Sequence, residues 1–136
     1  MIVYFQRHVD DDPTRCSPGR DFLLGCQPTV RAKFSAALIA VATAPPKRFA
    51  GGGYWEAMHG EMGGWYEMRI DGPGRRHHRL FCLIDMEAEG WRQPLLTVVA
   101  GLAKPFRTTF TDRDYKNVRE LGEEYRSRNP RSLLER

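Results

Sequence analysis

Between residues 65 and 84 two strand-like runs, the first of them alternating between apolar and polar side chains, lie on either side of the turn signal Asp71-Gly72-Pro73-Gly74. A period of two sends successive side chains to opposite faces of a strand. In the first run Trp65, Glu67, Arg69 and Asp71 fall on one face, and Tyr66, Met68 and Ile70 on the other, which reads as core. In the second run, residues 77–84, Arg79, Phe81 and Leu83 alternate with His78, Leu80, Cys82 and Ile84. Two such runs joined by a Gly/Pro turn predict a hairpin. Residues 95–100 are almost wholly apolar and predict a third strand, covered on a face or placed centrally, so a three-stranded antiparallel meander is the economical arrangement.

Outside the meander the periodicity changes. Residues 2–5 form a short β-rich run suited to an edge strand and are followed by the acidic, proline-containing stretch 10–13. Ser17-Pro18 is an N-cap and first-turn pair for a short helical turn over 21–24 that ends at Gly25. A second helix starts at Pro28-Thr29, carries Val30, Phe34, Leu38 and Val41 at helical spacing, and stops at Pro45-Pro46. Residues 47–64 read as a long loop in which Gly51-Gly52-Gly53 and Gly63-Gly64 bracket Tyr54, Trp55 and His59. Near the C-terminus Thr111 and Asp114 have capping-box spacing ahead of Tyr115, Val118, Leu121 and Tyr125, and Asn129-Pro130 marks a stop. Strand, two helices, three strands and a helix make an α+β fold, and 136 residues suit one domain over 1–136.

Composition narrows the setting. The chain is 41% apolar and 28% charged, as ordinary globular proteins are. Its net charge of +4 rests on seventeen arginines and four lysines. Arginine's planar fork fits phosphate, although codon usage in a GC-rich genome gives the same bias. Cys16, Cys26 and Cys82 include no CxxC pair, which argues against zinc and against a disulfide framework, and a reducing cytoplasm is the expected location. The apolar start is too short for a signal peptide and no run approaches the roughly 20 residues of a membrane span, so no membrane association is expected. No nucleotide-binding or metal-quartet motif occurs, and no cofactor or metal is expected.

Candidate chemistry concentrates on the hairpin, where Arg69, Arg75, Arg76, His77, His78 and Arg79 fall within eleven residues. Lys104 and Arg107 follow the third strand, and their convergence with the hairpin predicts an electropositive pocket for a phosphodiester. Arg75 and Arg76 have a blander reading as a solvated tip. RNA cleavage needs a base at the 2′-hydroxyl, positive charge at phosphorus and an acid at the leaving oxygen, and no metal is essential because the nucleophile is internal. His59 on its loop is one mobile base or simply a surface residue; His77 is the histidine that shares a face with Arg79. Glu67 beside Arg69 reads as an ion pair. Tyr115 at the start of the last helix either reaches substrate or belongs to the core, and Tyr54, Trp55 and Trp65 either stack on bases or pack beneath the loop.

The string GGWYEMRIDGPGRRHHRLFCLID, then LLTVVAGLAKPF and a helix opening TDRDYKNV, resembles the HigB-like, phage-derived branch of the RelE/ParE toxin superfamily. Tyr66-Glu67-Met68-Arg69 matches its aromatic-Glu-hydrophobic-Arg strand. His78-Arg79-Leu80-Phe81 matches the next strand with His for Tyr, and Val98-Val99-Ala100-Gly101 matches the apolar strand ending in Gly. The likeness covers roughly residues 21–126. It implies a RelE-like domain with a basic, RNA-facing sheet, cutting messenger RNA on the ribosome, inhibiting translation, and neutralised in a hetero-oligomer by a cognate antitoxin, expected to be a helix-turn-helix protein. Arg69, Arg79 and Lys104 take the catalytic positions, with Arg107, His59 and Tyr115 as further catalytic candidates. Arg75, Arg76, His77 and Lys116 are the expected RNA-binding residues. The family's lysine pair is reduced here to Lys104 followed by Pro105 and Phe106. Two other functions use the same fold: inhibition of DNA gyrase, and nucleic-acid or protein binding without catalysis.

Overall fold

Eight elements succeed one another in the computed structural model, which describes residues 1–43 and 54–135. They are β1 (Ile2–Tyr4), α1 (Pro18–Gly25), α2 (Pro28–Ala42), β2 (Trp55–Ala57), β3 (Trp65–Gly72), β4 (Arg76–Asp85), β5 (Leu95–Pro105) and α3 (Asp112–Arg126). The five strands form one mixed sheet in the order β1-β5-β4-β3-β2, with β1 parallel to β5 and all other pairs antiparallel. The fold class is α+β, as the order of patterns predicts.

Two apolar layers cover the sheet. On one face α1 and α2 bring Leu23, Val30, Phe34, Leu38 and Val41 against Trp55, Met68, Leu80, Cys82, Leu96 and Val98. On the other, α3 brings Val118 and Tyr125 against Phe5, Trp65, Phe81, Leu83, Val99 and Ala100. Because both faces are covered there, residues 95–100 of β5 are buried without alternation, which explains why all but Thr97 are apolar. Helix α3 carries the capping box: the Thr111 hydroxyl accepts from the Asp114 backbone N–H at 3.1 Å, and the Asp114 carboxylate accepts from the Thr111 N–H at 2.8 Å. Glycines seat two aromatic rings against backbone. A β-carbon on Gly101 of β5 would run into the Phe22 ring, and one on Gly122 of α3 into the Trp65 indole.

Several expected boundaries change. Residues 54–64 are not all loop: β2 adds a fifth strand at the sheet edge, and a single 3₁₀ turn spans Gly60–Met62. Trp55 is fully buried and stacks on Tyr66 with centroids 5.0 Å apart, so it packs and does not present its ring to a base. Trp65, also buried, packs beneath α3. The third meander strand runs on to Pro105, which puts Lys104 inside β5 and not beyond it. Helix α3 ends at Arg126, a turn before Pro130. The stop at Pro45-Pro46 and the triple glycine at 51–53 lie outside the described residues. Among the described residues no helix is long and apolar enough to cross a membrane.

Candidate active site

The hairpin register decides which side chains meet. Asp71 faces His77, and His77 faces Lys104, so these three form one cross-strand row over β3, β4 and β5. The next row is Arg69, Arg79 and Leu102, and the one after it Glu67, Phe81 and Ala100. The third row lies in the layer covered by α3, where Phe81 touches Tyr115 edge-on at 6.1 Å. The first two rows lie toward the hairpin turn, where burial gives way to partial exposure.

Lys104 joins this face because of an irregularity. Phe81 pairs with Ala100 but Cys82 pairs with Val98, leaving Val99 as an extra residue in β5. Thr97, opposite Leu83, and Ala100, opposite Phe81, then lie on the same face although three residues apart, so the bulge reverses the parity of the residues beyond it. Strict alternation from Thr97 would send Lys104 to the side of α1 and α2. With the bulge, Leu102 and Lys104 stand beside Arg79 and His77.

Arg69 and Arg79 are direct cross-strand neighbours, an arrangement that repels unless acids intervene. Buried Glu67 accepts from Arg69 Nε at 2.7 Å, and Glu56 of β2 lies 3.7 Å from Arg69 Nη2. Asp71 Oδ1 accepts from Arg79 Nη1 at 2.7 Å and is 2.8 Å from His77 Nδ1. Lys104 Nζ lies 2.7 Å from Asp114, the N3 residue of α3. Phe110 lies under both Arg79 and Lys104, at 5.7 and 5.9 Å from its centroid, and Phe106 packs on the His77 ring at 4.8 Å.

These contacts tune the acids. Partial burial pulls the Asp71 carboxyl upward, but the hydrogen bonds from Arg79 and His77 outweigh it and hold the group below its ordinary value. Lys104, followed by the Thr111 backbone, lowers Asp114. Burial, reinforced by Glu67, raises the Tyr115 phenol, which keeps it protonated at neutral pH.

The expected electropositive pocket is thereby corrected. Arg69, Arg79 and Lys104 do converge, but Glu56, Glu67, Asp71 and Asp114 accompany them, so the interior of the site is a balanced ion-pair network. Uncompensated charge lies at the rim. Arg75 and Arg76 are exposed at the hairpin tip, Arg107 is exposed in the turn after β5, and none of the three forms an ion pair among the described residues. The rim is drawn together by the bond from Phe106 N to the Arg75 carbonyl at 2.9 Å and from Arg76 Nη2 to the Ala103 carbonyl at 3.2 Å.

Two expected residues stand elsewhere. His59 is exposed ahead of the 3₁₀ turn, in a depression walled by Met58, Glu61, Asp112, Tyr115 and Arg119 but by none of the strand cations. Lys116 lies farther along α3, in a shallow groove with Asp112, Arg113 and Glu120. Tyr115 bridges both readings: its ring belongs to the layer under α3 and also contacts Phe110 beside the cations. His78 points to the opposite face, buried, with Nδ1 3.2 Å from the Ile70 carbonyl. Among the described residues no three or more His, Cys, Asp or Glu side chains are grouped as metal ligands would be. No protein-family model matches the chain, and no curated protein or solved structure is significantly similar to it.

Proposed function

We propose that this chain is the toxin of a toxin–antitoxin pair, a RelE-like, metal-independent endoribonuclease that cuts messenger RNA on cytoplasmic ribosomes and so stops translation. The observation that carries the reading is the placement of Arg79, His77 and Lys104 from two adjacent strands on one partly open face, with a bulge aiming the lysine there. The likeness of the meander motifs to HigB-like toxins supplies the reaction. A cognate helix-turn-helix antitoxin is the expected inhibitor.

Arg79 is suited to hold the scissile phosphate. It bonds Asp71 and the His78 carbonyl through Nη1 alone, which leaves Nε and Nη2 as donors for phosphate oxygens. Arg69 is committed to Glu67 and Glu56 and holds the β3 side of the network in place. Recruiting Lys104 requires loosening its pair with Asp114. Partly exposed pairs of this kind contribute only about 0–1 kcal/mol, less than one charge-assisted bond to a phosphodiester returns. Arg75, Arg76 and Arg107 at the rim would meet the flanking backbone of the message. The attacking 2′-hydroxyl is part of the substrate, so the protein's task is to position it, neutralise charge and move protons.

The test is induction in bacteria with message length followed over time. Shortened messages and growth arrest are expected for the wild type, and Arg79→Ala should lower the cleavage rate about a hundredfold, as loss of one transition-state clamp does. Arrest with full-length messages and a DNA-damage response would instead indicate a gyrase inhibitor. The charge balance of the site favours one second reading, a binding module without catalysis, for which neither arrest nor cleavage is expected.

A further inference from the structure

We infer that His77 is the proton acceptor for a ribose 2′-hydroxyl of single-stranded RNA, that Asp71 is its positioning residue, and that Lys104 is the proton donor to the leaving oxygen. The inference rests on the reading of the chain as a ribonuclease and assigns the proton transfers within that site.

Asp71 and His77 are opposite one another in the hairpin, and the carboxylate lies 2.8 Å from Nδ1. A carboxylate accepts, so the neutral ring carries its hydrogen on Nδ1 and has its lone pair on Nε2. Among the described residues no group bonds Nε2. Ring rotation is limited twice, by Asp71 at its edge and by Phe106 against its face at 4.8 Å. The same Oδ1 of Asp71 also accepts from Arg79, so one carboxylate fixes both the base and the phosphate-holding arginine. The groups facing His77 are therefore Asp71 on β3, Arg79 on its own strand through that carboxylate, and Lys104, its register partner on β5. Among the described residues His59 has no comparable carboxylate partner, and none of the strand cations lines its depression.

In the reaction, His77 Nε2 takes the 2′-hydroxyl proton as the 2′-oxygen bonds to phosphorus. The bond from phosphorus to the 5′-oxygen breaks, and the Lys104 ammonium gives that oxygen a proton. The products are a 2′,3′-cyclic phosphate and a 5′-hydroxyl, and proton exchange with water returns both side chains to their starting forms. No oxidant, metal or second nucleophile is consumed.

The experiment uses the full chain on ribosome-bound message, with a matched message carrying a 2′-deoxy nucleotide at the cleavage position. Wild type should leave a cyclic phosphate end and spare the deoxy message. His77→Gln, which keeps a side-chain hydrogen bond to Asp71 but supplies no basic nitrogen, should cut at least a hundredfold more slowly at saturating message, where a change in binding does not enter the rate. His77→Ala should be equally slow and regain activity when imidazole is added, a rescue that a merely structural residue would not show. Asp71→Asn should retain binding and lose about tenfold or more in rate, with little response to imidazole. If wild type cuts and His77→Gln cuts as fast, the assignment to His77 is overturned and the ribonuclease reading stands. If wild type leaves every message intact, both fall together.

Discussion

Asp85 and Arg131 are 46 residues apart in sequence and both are buried, the carboxylate accepting from Arg131 Nε at 2.9 Å and from the Tyr125 hydroxyl at 2.6 Å. Burial pulls the Asp85 carboxyl up, yet Arg131, Tyr125 and the Glu87 backbone outweigh it and bring the group to about 2 from 3.8. A depressed carboxyl contributes stability that is complete above its unfolded value and lost as pH falls through the folded one. The contribution is about 2 kcal/mol, and it disappears between about pH 4 and pH 2. Urea unfolding at stepped pH should show wild type exceeding Asp85→Asn near neutrality, with the gap closing over that window. A gap that persists at pH 2 would mean that the carboxylate's charge is not what stabilises the fold. Arg131→Ala should be costlier still, about 3–5 kcal/mol, because it leaves a buried charge unpaired. Nothing in the sequence singled out this pair. The two residues have no periodic relation and meet only when the segment after α3 folds back, where Phe5 and Leu133 form a bridge.

At the scale of elements, opposing preferences can be weighed by magnitude. Alanine is favoured over glycine within a helix by about 1 kcal/mol, so on propensity alone Gly122 in α3 is a site to improve. Trp65 occupies the space that a β-carbon would take, and overpacking costs about 1–3 kcal/mol. Gly122→Ala should therefore lower the melting temperature, and a rise would show that the Trp65 indole can shift without penalty. Thr111→Ala should cost about 1 kcal/mol through loss of the capping box, measured by thermal unfolding. The box and the α3 stripe were legible because their residues are close in sequence. So were the faces of β3, where polar and apolar side chains alternate from Tyr66 to Asp71; those of β4 follow only from counting by twos from Arg79, since residues 80–84 are all apolar. Strand β2 was not, since three residues between glycine-rich stretches give no period to read. The face of Lys104 was hidden as well: Val98, Val99 and Ala100 are all apolar, and nothing in them shows which one is the extra residue of the bulge.

Across the whole molecule, charge separates into two zones that a count of +4 cannot reveal. Inside the site Arg69, Arg79 and Lys104 already have carboxylate partners, so phosphate that joins Asp71 on Arg79 or replaces Asp114 on Lys104 meets charge already balanced and frees few counterions. At the rim Arg75, Arg76 and Arg107 have no such partners among the described residues, and phosphate binding there displaces solution ions. The sequence placed the basic residues of both zones together because it could not supply the register that pairs Asp71 with His77 and Arg79, or the helix start that brings Asp114 to Lys104. Under the ribonuclease reading, the two zones should respond differently to salt. Each single-strand phosphate neutralised contributes about 0.7 to the slope of log affinity against log salt, so two contribute about 1.4. Arg75→Ala/Arg76→Ala should reduce the slope by that amount and weaken binding to a 2′-deoxy message, while leaving the cleavage rate at saturating message within a few fold. Lys104→Ala/Asp114→Asn, which removes one charge of each sign, should leave the slope nearly unchanged and lower the rate instead. Equal slopes for wild type and the tip variant would return Arg75 and Arg76 to a solvated turn, with recruitment left to the interior of the site.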